Sequence, residues 1–166
     1  PISEIVLTHS ADAIITDSAS SATAYSTGSK TKNGFLGVDQ EGRILENLTE
    51  RLDNFGFVSA LISTSEVTHA TPAAFSSHVD SRRNTDEISS QMLESKVATI
   101  LGGGRKFFLS AENGGKRKDE RNLLEEAAKS HKILTHKNQL NISDVNPTER
   151  VLGLFADEHL RDEETP

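Results

Sequence analysis

Four short runs rich in apolar and β-branched residues alternate along the chain with segments of helical character. The runs are FVSALIST (57–64), VATILGGG (97–104), HKILTH (131–136) and RVLGLFA (150–156). Uninterrupted runs of this kind are typical of strands buried in a parallel sheet. We therefore predict an α/β fold, layered, with a mostly parallel sheet flanked by helices. The length of 166 residues suits one domain, or one large piece of a bigger domain.

Two of the intervening segments have the spacing of amphipathic helices. GRILENLTERLDNFG (42–56) is predicted to form one helix that ends at Gly56, with an apolar stripe made of Ile44, Leu48, Leu52 and Phe55. DERNLLEEAAKS (119–130) is predicted to form another, because its acidic and basic residues recur at helical spacing. These segments supply helical layers for the predicted fold.

Charge and composition exclude several classes of protein. The formal net charge of -7 argues against a general nucleic-acid binder, which needs a basic face. The chain has no cysteine, so it has neither disulfides nor thiolate metal sites, although the compartment stays open. No apolar run approaches the roughly 18 residues that cross a bilayer. The chain starts at Pro1 without a signal peptide, and we interpret this start as cut rather than natural.

The stretch ITDSASSATAYSTG (15–28) contains a candidate nucleophile. ITD can end a strand, and SASSATAYST can form a helix of small side chains that is closed by Gly28. Ser18 would then lie at the helix N-terminus, where free N–H groups and the helix dipole favour an anion. Such a place suits a serine that attacks phosphorus. The alternative is that Ser18 only caps the helix, and this stretch alone favours the cap.

The glycine-rich run LGGGRK invites a nucleotide-binding interpretation that its details do not support. Gly102, Gly103 and Gly104 are not followed by the Lys-Ser/Thr pair of a P-loop, and they lack the G-x-G-x-x-G spacing. We predict a tight turn after a strand.

Several blocks of the sequence together resemble one enzyme family. ITDSASSATAYSTGSKTKNGFLGVD (15–39) closely resembles the nucleophile segment of alkaline phosphatases, and STSEVTHATPAAFSSHVDSRR (63–83) is similar to that family's next functional block. ILGGGRKFF and LGLFADEH resemble two later family segments, in the same order. The resemblance covers nearly the whole chain. It implies that residues 1–166 are the central portion of a single alkaline-phosphatase-like α/β domain, incomplete at both ends.

The resemblance assigns catalytic roles to three residues. Ser18 matches the serine that becomes phosphorylated, and Arg82 matches the arginine that clamps phosphate oxygens with its fork of N–H donors. Asp17 matches the acid that helps to orient this arginine. Without the resemblance, Asp17 would be a helix-start acid favoured by the dipole, and Arg82 a solvated charge near a helix end. Arg83 is adjacent, and only the spacing from Thr71 favours Arg82.

The resemblance also implies a metal centre with two zinc ions and a third site that usually holds magnesium. Ser18 would bind a zinc ion, and Thr71 would be a hydroxyl ligand of the third site, while also serving as the N-cap of a helix with Pro72 at its first position. His69 stands where some members carry Asp and others His, and an imidazole favours zinc more than a carboxylate does. We interpret the other histidines as ordinary surface or core residues, namely His9, His78, His131, His136 and His159.

The implied activity is the hydrolysis of phosphate monoesters through a phosphoserine, with the monoester or inorganic phosphate as ligand and no nucleic-acid partner. The family takes most of its metal ligands from segments before and after this one, so we expect the isolated chain to have little or no activity. We also expect the missing first strand to expose an apolar edge that promotes self-association. The resemblance further implies a homodimer for the complete enzyme and a periplasmic or extracellular location. The alternatives are a catalytically dead phosphate-binding or interaction module and, less favoured, a related phosphodiesterase or sulfatase.

Overall fold

The computed structural model describes residues 5–141 and 149–161 and has the predicted α/β architecture. Within these ranges the helices are α1 (Ser18–Thr27), α2 (Leu48–Asp53), α3 (Ala70–Ala73), α4 (Thr85–Glu94) and α5 (Leu123–Ala127). The strands are β1 (Ala60–Glu66), β2 (Thr99–Gly103), β3 (Lys132–Leu134) and β4 (Val151–Leu154). Each of the four apolar runs therefore contains a strand, as predicted. No described helix is long and apolar enough to cross a membrane.

The strands form one sheet in the order β1-β2-β4-β3, and every pair in it is parallel. Strand β4 lies between β2 and β3, with Val151 opposite both Thr99 and Lys132. All four residues of β4 are buried, as expected for an inner strand of a parallel sheet. Strand β1 is an edge of this sheet, and its residues alternate between exposed and half-buried positions. The carboxyl ends of β2, β4 and β1 therefore lie side by side.

The hydrophobic core lies between the sheet and the helices that follow its strands. Its largest fully buried side chains come from both layers, and include Ile88, Met92, Ile100, Phe108, Leu123, Leu152 and Leu154. Helix α1 joins the same cluster through Ala19 and Ala22, and packs against α3 rather than against a strand. The small residues of α1 therefore permit a close approach between two helices.

The predicted helix over 42–56 is wrong in its extent and in its buried face. Helix α2 begins only at Leu48, because Asn47 forms a capping box with Glu50. Ile44 lies before the helix, in an antiparallel bridge with Val38. Ile44, Leu48 and Phe55 are exposed, so the predicted stripe does not face the core. Gly56 does adopt a left-handed conformation after the helix, with φ 78°.

The predicted N-cap at Thr71 is also wrong. Helix α3 begins at Ala70 with His69 as its N-cap, so Thr71 lies inside the helix and Pro72 at its third position. The His69 side chain makes no capping hydrogen bond to this helix, so its imidazole is left for other contacts.

Candidate active site

Helix α1 begins at Ser18, and the residue that caps it is Asp17. Asp17 has extended backbone geometry, and its Oδ1 accepts hydrogen bonds from the N–H groups of Ala19 (3.1 Å) and Ser20 (2.9 Å). The interpretation of Ser18 as the helix cap is therefore wrong, since a neighbour already fills that role. Ser18 is the first helical residue and is exposed. The helix ends at Gly28 with φ 75°, as predicted.

The second carboxylate oxygen of Asp17 joins the helix start to two other segments. Oδ2 accepts from the Gly34 N–H at 3.1 Å and from Arg82 Nη1 at 3.2 Å. Burial disfavours the charged carboxylate, but the hydrogen bonds from Ser20, Gly34 and Arg82 outweigh it, and the pKa of Asp17 is lowered from its ordinary 3.8. Asp17 is therefore ionised at neutral pH and keeps its hold on Arg82.

Arg82 lies directly over the serine. Its Nη1 donates to Ser18 Oγ at 2.7 Å, so one nitrogen contacts both Ser18 and Asp17. The backbone fixes the position of Arg82 as well, because its N–H donates to Gly34 O at 2.7 Å and the antiparallel bridge between Leu36 and Val79 lies just beyond. A bridge between distant segments thus carries the arginine to the start of α1.

His69 lies on the other side of the guanidinium. Its Nε2 is 3.2 Å from Arg82 Nη2, and because a guanidinium has no acceptor, Nε2 must accept and the neutral ring carries its proton on Nδ1. Burial, and then the charge of Arg82, lower the pKa of His69 below its ordinary 6.5. Both effects favour the neutral ring that this contact requires.

The structure thus joins Asp17, Ser18, Arg82 and His69 by hydrogen bonds that do not include Thr71. Thr71 is exposed on α3, and the structure shows no hydrogen bond from its side chain to these four residues. In the described ranges no group of three or more His, Cys, Asp or Glu side chains lies together as a metal cage. The residues present therefore do not by themselves fit a centre with two zinc ions.

One residue beside this site was not singled out by its sequence. The ring of His159 makes an edge contact with the ring of His69, with centroids 5.6 Å apart and planes at 73°. Its Nδ1 accepts a 3.0 Å hydrogen bond from the Glu66 N–H, across 93 positions of sequence. No local pattern could have revealed this partnership, because it depends on how β4 and β1 are placed in the sheet.

Comparisons with known proteins identify the family of this chain. The family model for alkaline phosphatase matches residues 1–165. Alkaline phosphatase 4 of Bacillus subtilis (strain 168) is 38% identical over 164 residues, which are 92% of this chain and 33% of the relative. The chain belongs to the alkaline phosphatase family. It spans about a third of the length of that relative.

Solved structures agree as well. The alkaline phosphatase from the Antarctic bacterium TAB5 matches with a TM-score of 0.84 and 32% identity, over 94% of this chain and 44% of that one. A variant of the TAB5 enzyme, with a histidine replaced by aspartate and magnesium bound in its M3 site, matches with a TM-score of 0.85 and 30% identity, over 94% of this chain and 43% of that one.

Proposed function

We propose that this chain carries the nucleophile and the phosphate clamp of an enzyme that hydrolyses phosphate monoesters through a phosphoserine. The observation that carries the proposal is the placement of Ser18, exposed at the start of α1 with Arg82 Nη1 2.7 Å from its hydroxyl. A phosphate bound there would meet a nucleophile, a guanidinium and the positive end of the α1 helix dipole together.

The proposed reaction uses Ser18 as the attacking group. A bond forms between Ser18 Oγ and phosphorus while the bond from phosphorus to the alcohol oxygen breaks on the opposite side. The serine gives up its proton, and the departing alkoxide takes one up and leaves as the alcohol. Water then cleaves the phosphoserine and releases inorganic phosphate. The transition state spreads charge over the equatorial oxygens, where Arg82 would bind two of them.

Asp17 would act on the reaction through Arg82. Its carboxylate lies 3.2 Å from Arg82 Nη1 and also accepts the Gly34 N–H, so it fixes one edge of the guanidinium. Nη1 and Nη2 also contact Ser18 and His69. A phosphate would take over the Ser18 contact, while Asp17 would keep the arginine in place. This arrangement orients the clamp before the substrate arrives, which reduces the cost of ordering it.

The complete site would also require metal ions, for which we propose two zinc ions and magnesium. An unassisted serine is a weak nucleophile at neutral pH, and metal ions stabilise the alkoxide that forms from it. Ser18, His69 and Thr71 are the proposed ligands within this chain. His69 would match the histidine whose replacement accompanies magnesium binding in the TAB5 variant. Because the described residues form no cage of three or more such ligands, the remaining ligands would lie elsewhere in the complete enzyme.

We propose that the complete enzyme accepts many different phosphate monoesters. Ser18 is exposed, and Ser18 and Arg82 would contact the phosphate group rather than the alcohol part of the substrate. The proposed complete enzyme is a homodimer of the periplasm or the cell exterior, by analogy with the family alone. For the isolated chain, the absence of a metal cage in its described part favours a second candidate, a phosphate-binding module without catalytic turnover.

The hydrolysis of a chromogenic phosphate monoester at alkaline pH, with zinc and magnesium added, tests the proposal. The wild-type chain is compared with Ser18→Ala, first alone and then joined to the flanking segments of a B. subtilis relative. We expect little or no turnover by the isolated chain, and turnover by the joined protein that Ser18→Ala abolishes. Turnover that survives Ser18→Ala in the joined protein would overturn the role of Ser18. Turnover by the isolated chain that is lost in Ser18→Ala would instead reject the second candidate, a phosphate-binding module without catalytic turnover.

A further inference from the structure

The segment that follows β4 crosses the carboxyl ends of β2 and β1. We call residues 156–160 the strap. The N–H groups of Gly104 and Arg105 both donate to Ala156 O at 3.0 Å, and the Gly104 N–H also donates to Glu158 O at 3.0 Å. At the far end, the Leu160 N–H donates to Thr64 O of β1 at 2.8 Å. Backbone hydrogen bonds therefore fix the strap to the end of the sheet.

The glycine-rich run after β2 forms the surface on which the strap lies. A Cβ built on Gly103 would be 1.9 Å from Glu158 O, a distance that no side chain permits. Gly104 has φ 93°, a left-handed conformation that side chains rarely adopt. Close backbone approach thus explains Gly103, and a left-handed backbone explains Gly104, without a bound nucleotide.

A buried lysine fixes the strap through charge. Lys106 Nζ lies 2.9 Å from Glu66 Oε1 and 2.8 Å from Glu158 Oε1, so it bridges the end of β1 to the strap. The Lys106 side chain is only 10% exposed, and such a charge needs both partners to offset its burial. Two independent sets of contacts, the backbone bonds and this bridge, therefore determine where His159 lies.

The fixed strap presents His159 to the active site. His159 Nδ1 accepts from the Glu66 N–H, which sets the tilt of the ring, and the ring then contacts His69 edge to face. His69 in turn accepts from Arg82 Nη2. We propose that His159 is a positioning residue for the phosphate clamp, acting through His69 on the Arg82 guanidinium. This inference rests on the proposed role of Arg82 and extends the site to a residue far from it in sequence.

The expected effect is modest, because His159 is exposed and touches Arg82 only through His69. Removing its ring leaves Arg82 with Asp17 and Ser18, but frees the His69 ring on one side. We therefore expect His159→Ala to weaken the binding of inorganic phosphate about threefold. His136→Ala, the same change at an exposed histidine after β3, is the matched control and should leave phosphate affinity unchanged.

The experiment is a titration of the full 166-residue chain with inorganic phosphate, followed by ³¹P NMR, for wild type, His159→Ala, His69→Ala and the double variant. If the effect passes through His69, His159→Ala should cause no further loss once His69 is Ala. A full additive loss in the double variant, or no loss in His159→Ala, would overturn the inference. Arg82→Ala is run in parallel. If it leaves phosphate affinity unchanged, the proposed function fails instead.

A second measurement needs no phosphate. It therefore distinguishes a failure of the positioning role of His159 from a failure of the proposed function. Long-range ¹H–¹⁵N NMR at pH 8, where the ring is neutral, reports which nitrogen of His69 carries the proton. The wild type should show the proton on Nδ1, and His159→Ala should show a mixture of both tautomers, with His136→Ala as wild type. An unchanged His69 tautomer in His159→Ala would reject the positioning role whether or not the chain binds phosphate.

Discussion

The start of α1 and the edge of the sheet differ in how far contacts within the chain satisfy their side chains. At the start of α1, Asp17, Ser18, Arg82 and His69 satisfy one another at distances of 2.7 to 3.2 Å. At the edge of the sheet, Ile62 of β1 is 74% exposed, and Ile5, Val6, Leu7, Ile14 and Ile15 are also exposed on the described part of the N-terminal side. The proposed phosphate clamp is thus held by contacts within the chain, while these apolar side chains are exposed among the described residues.

The contacts around Arg82 thus rest on elements other than the exposed edge of β1. The clamp depends on a helix cap and on the bridge between Leu36 and Val79. Neither of these involves the exposed edge of β1.

The first prediction compares a core residue beneath the clamp with an aliphatic residue at the edge. Leu36 is fully buried and belongs to the bridge that carries Arg82 to Ser18. We expect Leu36→Ala to lower the free energy of unfolding by about 2–5 kcal/mol, and Ile62→Ala to change it by about 0.5 kcal/mol or less. Urea unfolding followed by circular dichroism measures both. Equal losses would mean that the edge is as well packed as the clamp.

The second prediction concerns the cap beneath the clamp. Asp17→Ala removes two capping hydrogen bonds and the partner of Arg82, and we expect it to cost about 1–2 kcal/mol of stability. Ser18→Ala is the neighbouring control and should cost about 0.5 kcal/mol or less, because Ser18 does not cap the helix. Thermal melting of both variants tests this. A larger loss of stability in Ser18→Ala than in Asp17→Ala would show that Ser18, rather than Asp17, stabilises the start of the helix.

The third prediction follows from the lowered pKa of Asp17. The unfolded chain binds its proton at about the ordinary pKa of 3.8, whereas the folded chain binds it only at lower pH. The stabilisation by the ionised group is therefore fully present above pH 3.8 and is lost as the pH falls through the folded pKa. The stability gap between wild type and Asp17→Asn should be constant near neutrality and narrow below pH 3.8. A difference in the free energy of unfolding between wild type and Asp17→Asn that grows as the pH falls would contradict this prediction.

The smallest effect on folding is expected at the edge itself, where the consequence is association. The edge strand β1 carries no charged residue before Glu66 at its end and exposes Ile62, so it can pair with another copy. We expect the wild-type chain to self-associate as its concentration rises, and Ile62→Lys to reduce this with little change in stability. Sedimentation velocity over a range of concentrations measures it. A wild-type monomer at high concentration would show that the edge is protected.

The strands were predictable because their signal is local. A buried strand needs only a continuous apolar run, and each of the four runs contains one. The predicted helix over 42–56 is wrong because its apolar spacing begins before Asn47, the residue that caps α2. The sequence N-L-T-E at 47–50 is a capping box, and it could have placed the start of α2 correctly. The start of α3 had no such signal, since His69 makes no capping hydrogen bond.

The candidate site was predictable only through family resemblance. Residue by residue, Ser18 looked like a cap and Arg82 like a solvated charge, because Arg82 and Ser18 are 64 positions apart. Their contact depends on pairing between distant segments, which no local pattern encodes. His159 was interpreted as ordinary for the same reason, since the strap reaches His69 only after β4 has entered the sheet beside β2.

If Ser18 and Arg82 form the proposed phosphate clamp, inorganic phosphate must bind at both residues. The most direct test is ¹H–¹⁵N NMR of the wild-type chain and of Arg82→Lys during titration with inorganic phosphate. We predict that the Arg82 guanidinium and the Ser18 amide shift along one saturation curve, and that Arg82→Lys weakens binding about tenfold or more, because an ammonium cannot bind two oxygens as a fork. Shifts confined to residues away from α1, or equal affinities in the two chains, would contradict the account.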